Sequence, residues 1–264
     1  MLFFVEKLKD FSTKILIYKN KMASYKVLNT IGQLPSLLKI SKISTPLWYK
    51  NHNAPKNIVE LTALGNKQFG SVMEKITGNI FKCENIKDTN GQTGWDLEKN
   101  KHRIELKSSR YWRANNKHHW VWQHILPDHE WAYVMMAGVD FNKIRYFIIP
   151  KPQFMDLIAE GKITKQGNAG GQGCWLNSKD IEGIHEFTEN EDLSEQLSSY
   201  IAEHPSSHEP ISSDDINKAY ITGKIARNKK IEERKAITLM KKEEKKLQKK
   251  NKKNLRKVIT KDSK

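Results

Sequence analysis

Two rhythms of apolar residues run along the chain. Ile58, Leu61, Leu64, Phe69, Val72, Met73 and Ile76 recur at mixed spacings of three and four. That periodicity predicts a helix over residues 57–77, with Gly78 as its C-terminal stop. Asn79–Ile86 follows as a first strand, then a polar loop over Lys87–Thr93. Trp131–Val139 is a continuous apolar run, as is Ile144–Ile149 apart from Arg145, and both suit central strands covered on two faces. Asp140-Phe141-Asn142-Lys143 gives the turn between them. Pro152–Gly161 reads as a short helix with Phe154, Leu157 and Ile158 inward, and residues 165–173 as a loop rich in Gly, Gln and Asn. Trp175-Leu176 reads as a last strand and Leu193–Ala202 as a last helix of the body. From about residue 216 the chain reads as one long Lys-rich helix, with Glu232–Lys235 and Glu243–Lys246 spaced to pair along it. The expected architecture is α/β: a central mixed β-sheet flanked by helices, with helix 57–77 against one face and a long basic C-terminal helix.

Charge divides the chain unevenly. The whole carries +16, yet residues 218–264 hold nineteen Lys and Arg against five Asp and Glu. The remainder, with 27 basic and 25 acidic residues, is an ordinary balanced globule. Arms of this kind commonly bind nucleic acid or anionic surfaces. Residues 1–55 are basic and weakly patterned, and Met22 is an alternative start. The expected organisation is a basic N-terminal extension over 1–55, a core over 56–205, and a linker with a Lys-rich helical tail over 206–264. Only Cys83 and Cys174 are present, which excludes a disulfide framework or a Cys₄ zinc site and suits a reducing compartment. No apolar run is long enough for a membrane span. The expected location is cytoplasmic, or nuclear in a eukaryotic host.

The chemistry concentrates in residues 94–107, Gly-Trp-Asp-Leu-Glu-Lys-Asn-Lys-His-Arg-Ile-Glu-Leu-Lys. Asp96 sits on one short strand-like run, and Glu105 and Lys107 lie on the next, beyond the polar corner Glu98-Lys99-Asn100-Lys101. Strand residues two apart share a face, so Glu105 and Lys107 project together while Leu106 faces away. Paired as a hairpin, the two runs bring Asp96 towards Glu105. Two carboxylates would then repel unless a hard cation relieved them, and Mg²⁺ takes one or two carboxylates plus waters and phosphate oxygens.

At these residues the chain resembles the PD-(D/E)xK nuclease superfamily, which includes most type II restriction endonucleases. Gly94-Trp95-Asp96 stands for the first half-motif and Glu105-Leu106-Lys107 for the second. Trp95 replaces the proline that usually precedes the first acid. The resemblance covers roughly residues 60–150. It implies that Asp96 and Glu105 hold Mg²⁺, with Mn²⁺ as a substitute, helped by the backbone carbonyl of Leu106. It implies that Lys107 orients or polarises the attacking water. Glu74 stands where many members carry a further acid on the preceding helix. Gln123, shortly after the Glu-x-Lys strand, matches a glutamine that many such nucleases use against phosphate or metal-bound water. A plain hydrogen-bonding glutamine in a turn reads equally well.

Other constellations carry less. Ser108-Ser109-Arg110-Tyr111-Trp112-Arg113 interleaves hydroxyl, basic and aromatic side chains. Ser108, Ser109, Arg110 and Arg113 are candidates for gripping phosphate, since hydroxyls and guanidinium groups make such contacts. A surface loop with its aromatics packed downward is the competing reading. His118, His119, His124 and His129 cluster loosely but lack the paired spacing of structural zinc. Trp120, Trp122 and Trp131 are assigned to the core.

The expected function is therefore Mg²⁺-dependent hydrolysis of DNA phosphodiester bonds by a restriction-type or similar site-specific endonuclease. DNA is the expected partner, with no membrane role and a homodimer left open. The alternatives are a repair, junction-resolving or mobile-element nuclease of the same fold, and a non-catalytic nucleic-acid-binding protein.

Overall fold

The computed structural model describes residues 47–85, 94–114, 117–166, 173–189 and 191–259. Its centre is the strand Tyr133–Val139, in which every residue is buried. This strand (β7) pairs in parallel with His102–Arg110 (β3) on one side and antiparallel with Ile144–Pro150 (β8) on the other. Leu97–Lys99 (β2), Glu84–Asn85 (β1) and His185–Glu186 (β11) complete a mixed six-stranded sheet in the order β1-β2-β3-β7-β8-β11. The apolar runs read as doubly covered strands are β7 and β8, and the fold is α/β with helices packed on the sheet.

Alternation along β7 and β8 feeds two separate cores. Tyr133, Met135, Ala137 and Val139, with Ile144, Tyr146 and Ile148, face the first. There they meet the helices Leu47–Asn51 (α1), Lys56–Thr62 (α2), Asn66–Phe81 (α3) and Leu193–Glu203 (α5). Val134, Met136, Phe147 and Ile149 face the second, which holds Trp120, Trp122 and Trp131. This layer is built from Lys151–Ala159 (α4) and a small sheet of Val121–Ile125 (β6), Cys174–Asn177 (β10) and Thr164–Lys165 (β9). Trp112–Ala114 (β4) and Lys117–His119 (β5) form a separate hairpin. Gly138 lets the Trp120 indole lie directly on β7, because any Cβ there would strike the ring. The two indole N–H groups are satisfied by β7 carbonyls: Trp120 Nε1 donates to Val139 O at 3.1 Å and Trp122 Nε1 to Ala137 O at 3.0 Å.

The elements differ from the sequence reading in three places. The single helix expected over 57–77 is two helices, broken at Ala63-Leu64-Gly65, where Gly65 is extended (φ −62°, ψ 155°) as the cap of α3. Gly78 does not stop α3. The helix runs on to Phe81 and ends at Lys82 in the left-handed region (φ 51°), while Gly78 lies buried against Leu97. The first strand is accordingly short, since residues 79–81 belong to α3. The loop read over Lys87–Thr93 lies outside the described residues, as do residues 167–172 of the Gly-rich loop.

The packed body also reaches beyond 56–205 at both ends. Tyr49 of α1 is buried, and its hydroxyl donates to Val139 O at 2.6 Å while accepting from Tyr111 N at 2.9 Å. At the other end, the helix Ser213–Ile259 (α6) docks its first turns on α4 and β10. Tyr220 hydroxyl lies 2.6 Å from Cys174 Sγ. Gly223 crosses the end of α4 so closely that a Cβ would run into Ile158 O. No described helix is long and apolar enough to cross a membrane.

Candidate active site

The site starts from a tight turn. Asn100 (φ 51°) and Lys101 (φ 66°) are both left-handed, the pattern of a two-residue type I′ hairpin. Asn tolerates that conformation through its short polar side chain. The turn is thus shorter than the polar corner suggested, and Glu98 and Lys99 belong to β2. It sets the register Lys99↔His102, Glu98↔Arg103 and Leu97↔Ile104. Continuing that register places Asp96, just ahead of β2, opposite Glu105. Asp96 N donates to Ile104 O at 3.0 Å, and Asp96 Oδ2 accepts from Leu106 N at 2.8 Å. The carboxylate takes the place of the strand carbonyl that would have continued the ladder. The N–H and C=O of one strand residue point to the same side. Leu106 C=O therefore shares this open edge of β3 with the Asp96 carboxylate.

Glu105 and Lys107 lie opposite Val134 and Met136 of β7, on the second-core face, while Leu106 faces the first core. Glu105 is 6 % exposed, and its carboxylate is ion-paired with Lys107 Nζ. Burial pushes the Glu105 carboxyl up to about 7, against the pull of Lys107 and with a further push from Asp96 and Glu74. Burial also raises Asp96, opposed by Lys107 and the Leu106 N–H. Glu74, half-buried on α3, is raised by burial and by Asp96. Burial alone would lower Lys107, but Glu105, Asp96 and Glu74 together hold it above its usual range.

The Asp96 and Glu105 carboxylates and the Lys107 ammonium therefore share one partly dry space, with Glu74 adding to its negative field from α3. A cation between the acids would favour their charged forms. Among the described residues no three His, Cys, Asp or Glu side chains converge as a ready metal cage. The donors at hand for an ion are the Asp96 and Glu105 carboxylates and the Leu106 carbonyl, a partial set that suits Mg²⁺, which keeps several waters. Beside Asp96 in sequence, Trp95 carries the Arg103 guanidinium, whose carbon sits 4.0 Å from the indole centroid, and Arg103 also pairs with Glu130. This stacked pair was not read from the sequence.

The remaining candidates separate. Gln123 is half-buried on β6, in the smaller sheet, and its side chain hydrogen-bonds to no other described residue. Ser108 is partly exposed on β3. Ser109 and Arg110 are spent inside the fold rather than offered to a ligand. Ser109 Oγ accepts from Val121 N at 3.1 Å, tying β3 to β6. Arg110 Nη2 donates to Leu64 O at 2.7 Å, and its guanidinium lies 4.2 Å from the Phe69 ring centroid, fastening β3 to the α2–α3 corner. A strand-end Arg beside a carbonyl-rich helix break serves the break. Arg113 falls in the β4–β5 hairpin, and its side chain lies outside the described residues.

No protein-family model, curated protein or solved structure matches this chain.

Proposed function

We propose that this chain is a Mg²⁺-dependent endonuclease of restriction endonuclease-like fold that hydrolyses DNA phosphodiester bonds. The observation that carries the reading is the meeting of Asp96, Glu105 and Lys107 at the open edge of β3, where buried Glu105 and half-buried Asp96 share one half-buried ammonium. The second oxygen of Asp96, the Glu105 carboxylate and the Leu106 carbonyl would hold the ion. Bound there, Mg²⁺ would supply a water activated as nucleophile and polarise the scissile phosphate. Lys107, held charged by its carboxylate neighbours, would orient that water and offset charge developing on the phosphate. Glu74 adds negative charge beside the ion site and supports a second-metal or water-holding role. Gln123 would contact phosphate only if it reaches across from β6.

The Lys-rich C-terminal sequence supports a nucleic-acid substrate. Residues 231–264 carry fourteen Lys and Arg against five Asp and Glu. Such an arm attracts a polyanion without reading its sequence. Site-specific cleavage, as in restriction, follows from the resemblance of the motif. Incubating the purified chain with mixed-sequence DNA, with and without Mg²⁺, tests the reading. Metal-dependent strand cleavage is expected, and intact DNA under every divalent cation tried would overturn it.

A further inference from the structure

Beyond Lys230 the helix α6 leaves the body, and every residue from 231 to 249 is exposed. The charges on this arm are sorted by side. A helix advances about 100° per residue. On that spacing the seven Lys and Arg of residues 231–249 fall within one arc of about 140°, bordered by Lys241 and Lys246. Glu232, Glu233, Glu243 and Glu244 all fall outside it. Lys235 pairs with Glu232 at 2.8 Å, but no glutamate of the stretch has a Lys or Arg four residues further on. Instead, Lys241–Lys245, Lys242–Lys246 and Lys245–Lys249 set like charges four residues apart, a spacing that destabilises a free helix. Pairing along the helix therefore does not account for the pattern, and an anion laid on the cationic side would relieve it.

The cationic side of the arm is also the side by which α6 is docked. Gly223 presses on Ile158 O, and Arg227 lies against Gly161. Eighteen residues make about five turns, so Lys241 and Lys245 stand on the same side of the helix as Gly223 and Arg227. The row of cations continues the docked face past the end of the body and looks towards the side on which the body stands. Lys162, Lys179 and Lys230 all act on Asp180 where the arm departs, so cations of the body meet those of the arm there.

We propose that this face of α6 grips the phosphate backbone of a DNA duplex on the body side of the arm, an inference that rests on the nuclease reading above. The face has the length and charge for it. Residues 234–249 span about 22 Å at about 1.5 Å per residue, and they hold seven cations. One strand of a duplex presents a phosphate about every 3.4 Å, or about six over that length. No aromatic residue occurs over 231–249, so the bases of a single strand find nothing to stack on and the backbone is the target. A lipid surface would need an apolar side opposite the cations, and here that side carries the four glutamates.

Titrating metal-free full-length protein with a labelled mixed-sequence duplex at several salt concentrations tests the side as well as the charge. Lys241→Gln/Lys245→Gln/Lys249→Gln removes three positive charges from the cationic face. Lys229→Gln/Ala236→Glu/Leu247→Glu lowers the net charge by the same amount on the opposite face. All six positions are exposed, so melting temperature and helix content by circular dichroism should be unchanged in both. The first variant should flatten the log–log slope of affinity against salt by about 2.7, from about 0.9 for each of three lost contacts. The second should keep the wild-type slope. Equal flattening by both would show that only total charge counts and would overturn the face. No flattening by either would also overturn it and leave an acidic protein as the occupant of the arm. Side-dependent duplex binding by a chain that never cleaves DNA would keep the face and overturn the nuclease instead. Cleavage with equal slopes throughout would do the reverse.

Discussion

The Asp96 carboxylate accepts the backbone N–H of Leu106 at 2.8 Å, so the first acid of the motif is also the last rung of the β2–β3 hairpin. One of its oxygens is committed to the fold, and the other hydrogen-bonds to none of the described residues. Asp96→Asn keeps an acceptor for Leu106 but loses the charge. It should fold normally and lose metal-dependent cleavage. Asp96→Ala should lose cleavage and also about 1–3 kcal/mol of stability, because the strand N–H is left without its partner. Chemical denaturation of the two variants separates these effects, and equal stabilities would show that the hydrogen bond contributes nothing.

Lys107, itself half-buried, compensates the buried Glu105 carboxylate. Removing one partner of a buried pair strands the other. Lys107→Ala should therefore slow cleavage far more than it weakens DNA binding, since one phosphate contact is a small share of affinity. It should also destabilise the chain. Lys107→Ala/Glu105→Gln should recover stability and not activity. A double variant as unstable as Lys107→Ala alone would contradict the pairing of these two charges.

The tail divides at the point where it leaves the body. Tyr220 and Gly223 are docked on Cys174 and α4, whereas Ile231, Leu239 and Leu247 are exposed. Truncation after Lys230 should leave the fold and single-turnover cleavage of bound DNA intact. It should flatten the salt dependence of DNA binding, by about 0.9 in log–log slope for every phosphate that the arm neutralises. Truncation at residue 218 should instead lower the melting temperature, because it uncovers the second core. Identical salt slopes for full-length and Lys230-truncated protein would remove DNA as the target of the arm.

Lys151 offers a pH signature in the same region. It is 2 % exposed and donates to His129 O at 2.7 Å and Glu209 O at 2.8 Å, holding the segment before α6 against the body. Burial lowers its ammonium to about 8, opposed by Asp128, Glu209 and Glu130. An unfolded lysine titrates near about 10.4. Between those values the unfolded chain binds more protons, so stability from this group rises with pH across about 8 to 10.4. Measured against Lys151→Met, the wild type should gain relative stability over that window. A difference that stays flat would show that burial does not depress this ammonium.

The sequence carried the strands better than the helices. β7 and β8 were legible because a doubly covered strand must be apolar at nearly every position, and Trp131–Val139 and Ile144–Ile149 are, Arg145 apart. The Asp96–Glu105 approach was legible because a hairpin with period-two side chains leaves few alternatives. The break at Gly65 was hidden by apolar Ala63 and Leu64, which continue the helical pattern across it. Gly78 read as a stop, yet its role is to admit Leu97, which lies nineteen residues further along the chain. Arg110 and Ser109 read as phosphate ligands because their partners, Leu64 O and Val121 N, come from distant strands and turns. The β6–β10 pairing, which joins Cys174 to Ile125 and Asn177 to Val121, is of the same long range. Docking of α6 through Tyr220 and Gly223 was masked by the Lys-rich composition around them.

The most direct test compares wild type and Glu105→Gln in single-turnover cleavage of pre-bound duplex DNA at saturating Mg²⁺, with binding measured in parallel. Loss of groups that merely orient metal ligands costs about 10–100-fold, so loss of a ligand itself should cost about 100-fold or more. The predicted result is that drop with DNA affinity unchanged or slightly raised, since a phosphate-repelling charge has gone. Equal cleavage rates for the two proteins would show that the acid pair at the edge of β3 does not hold the catalytic ion.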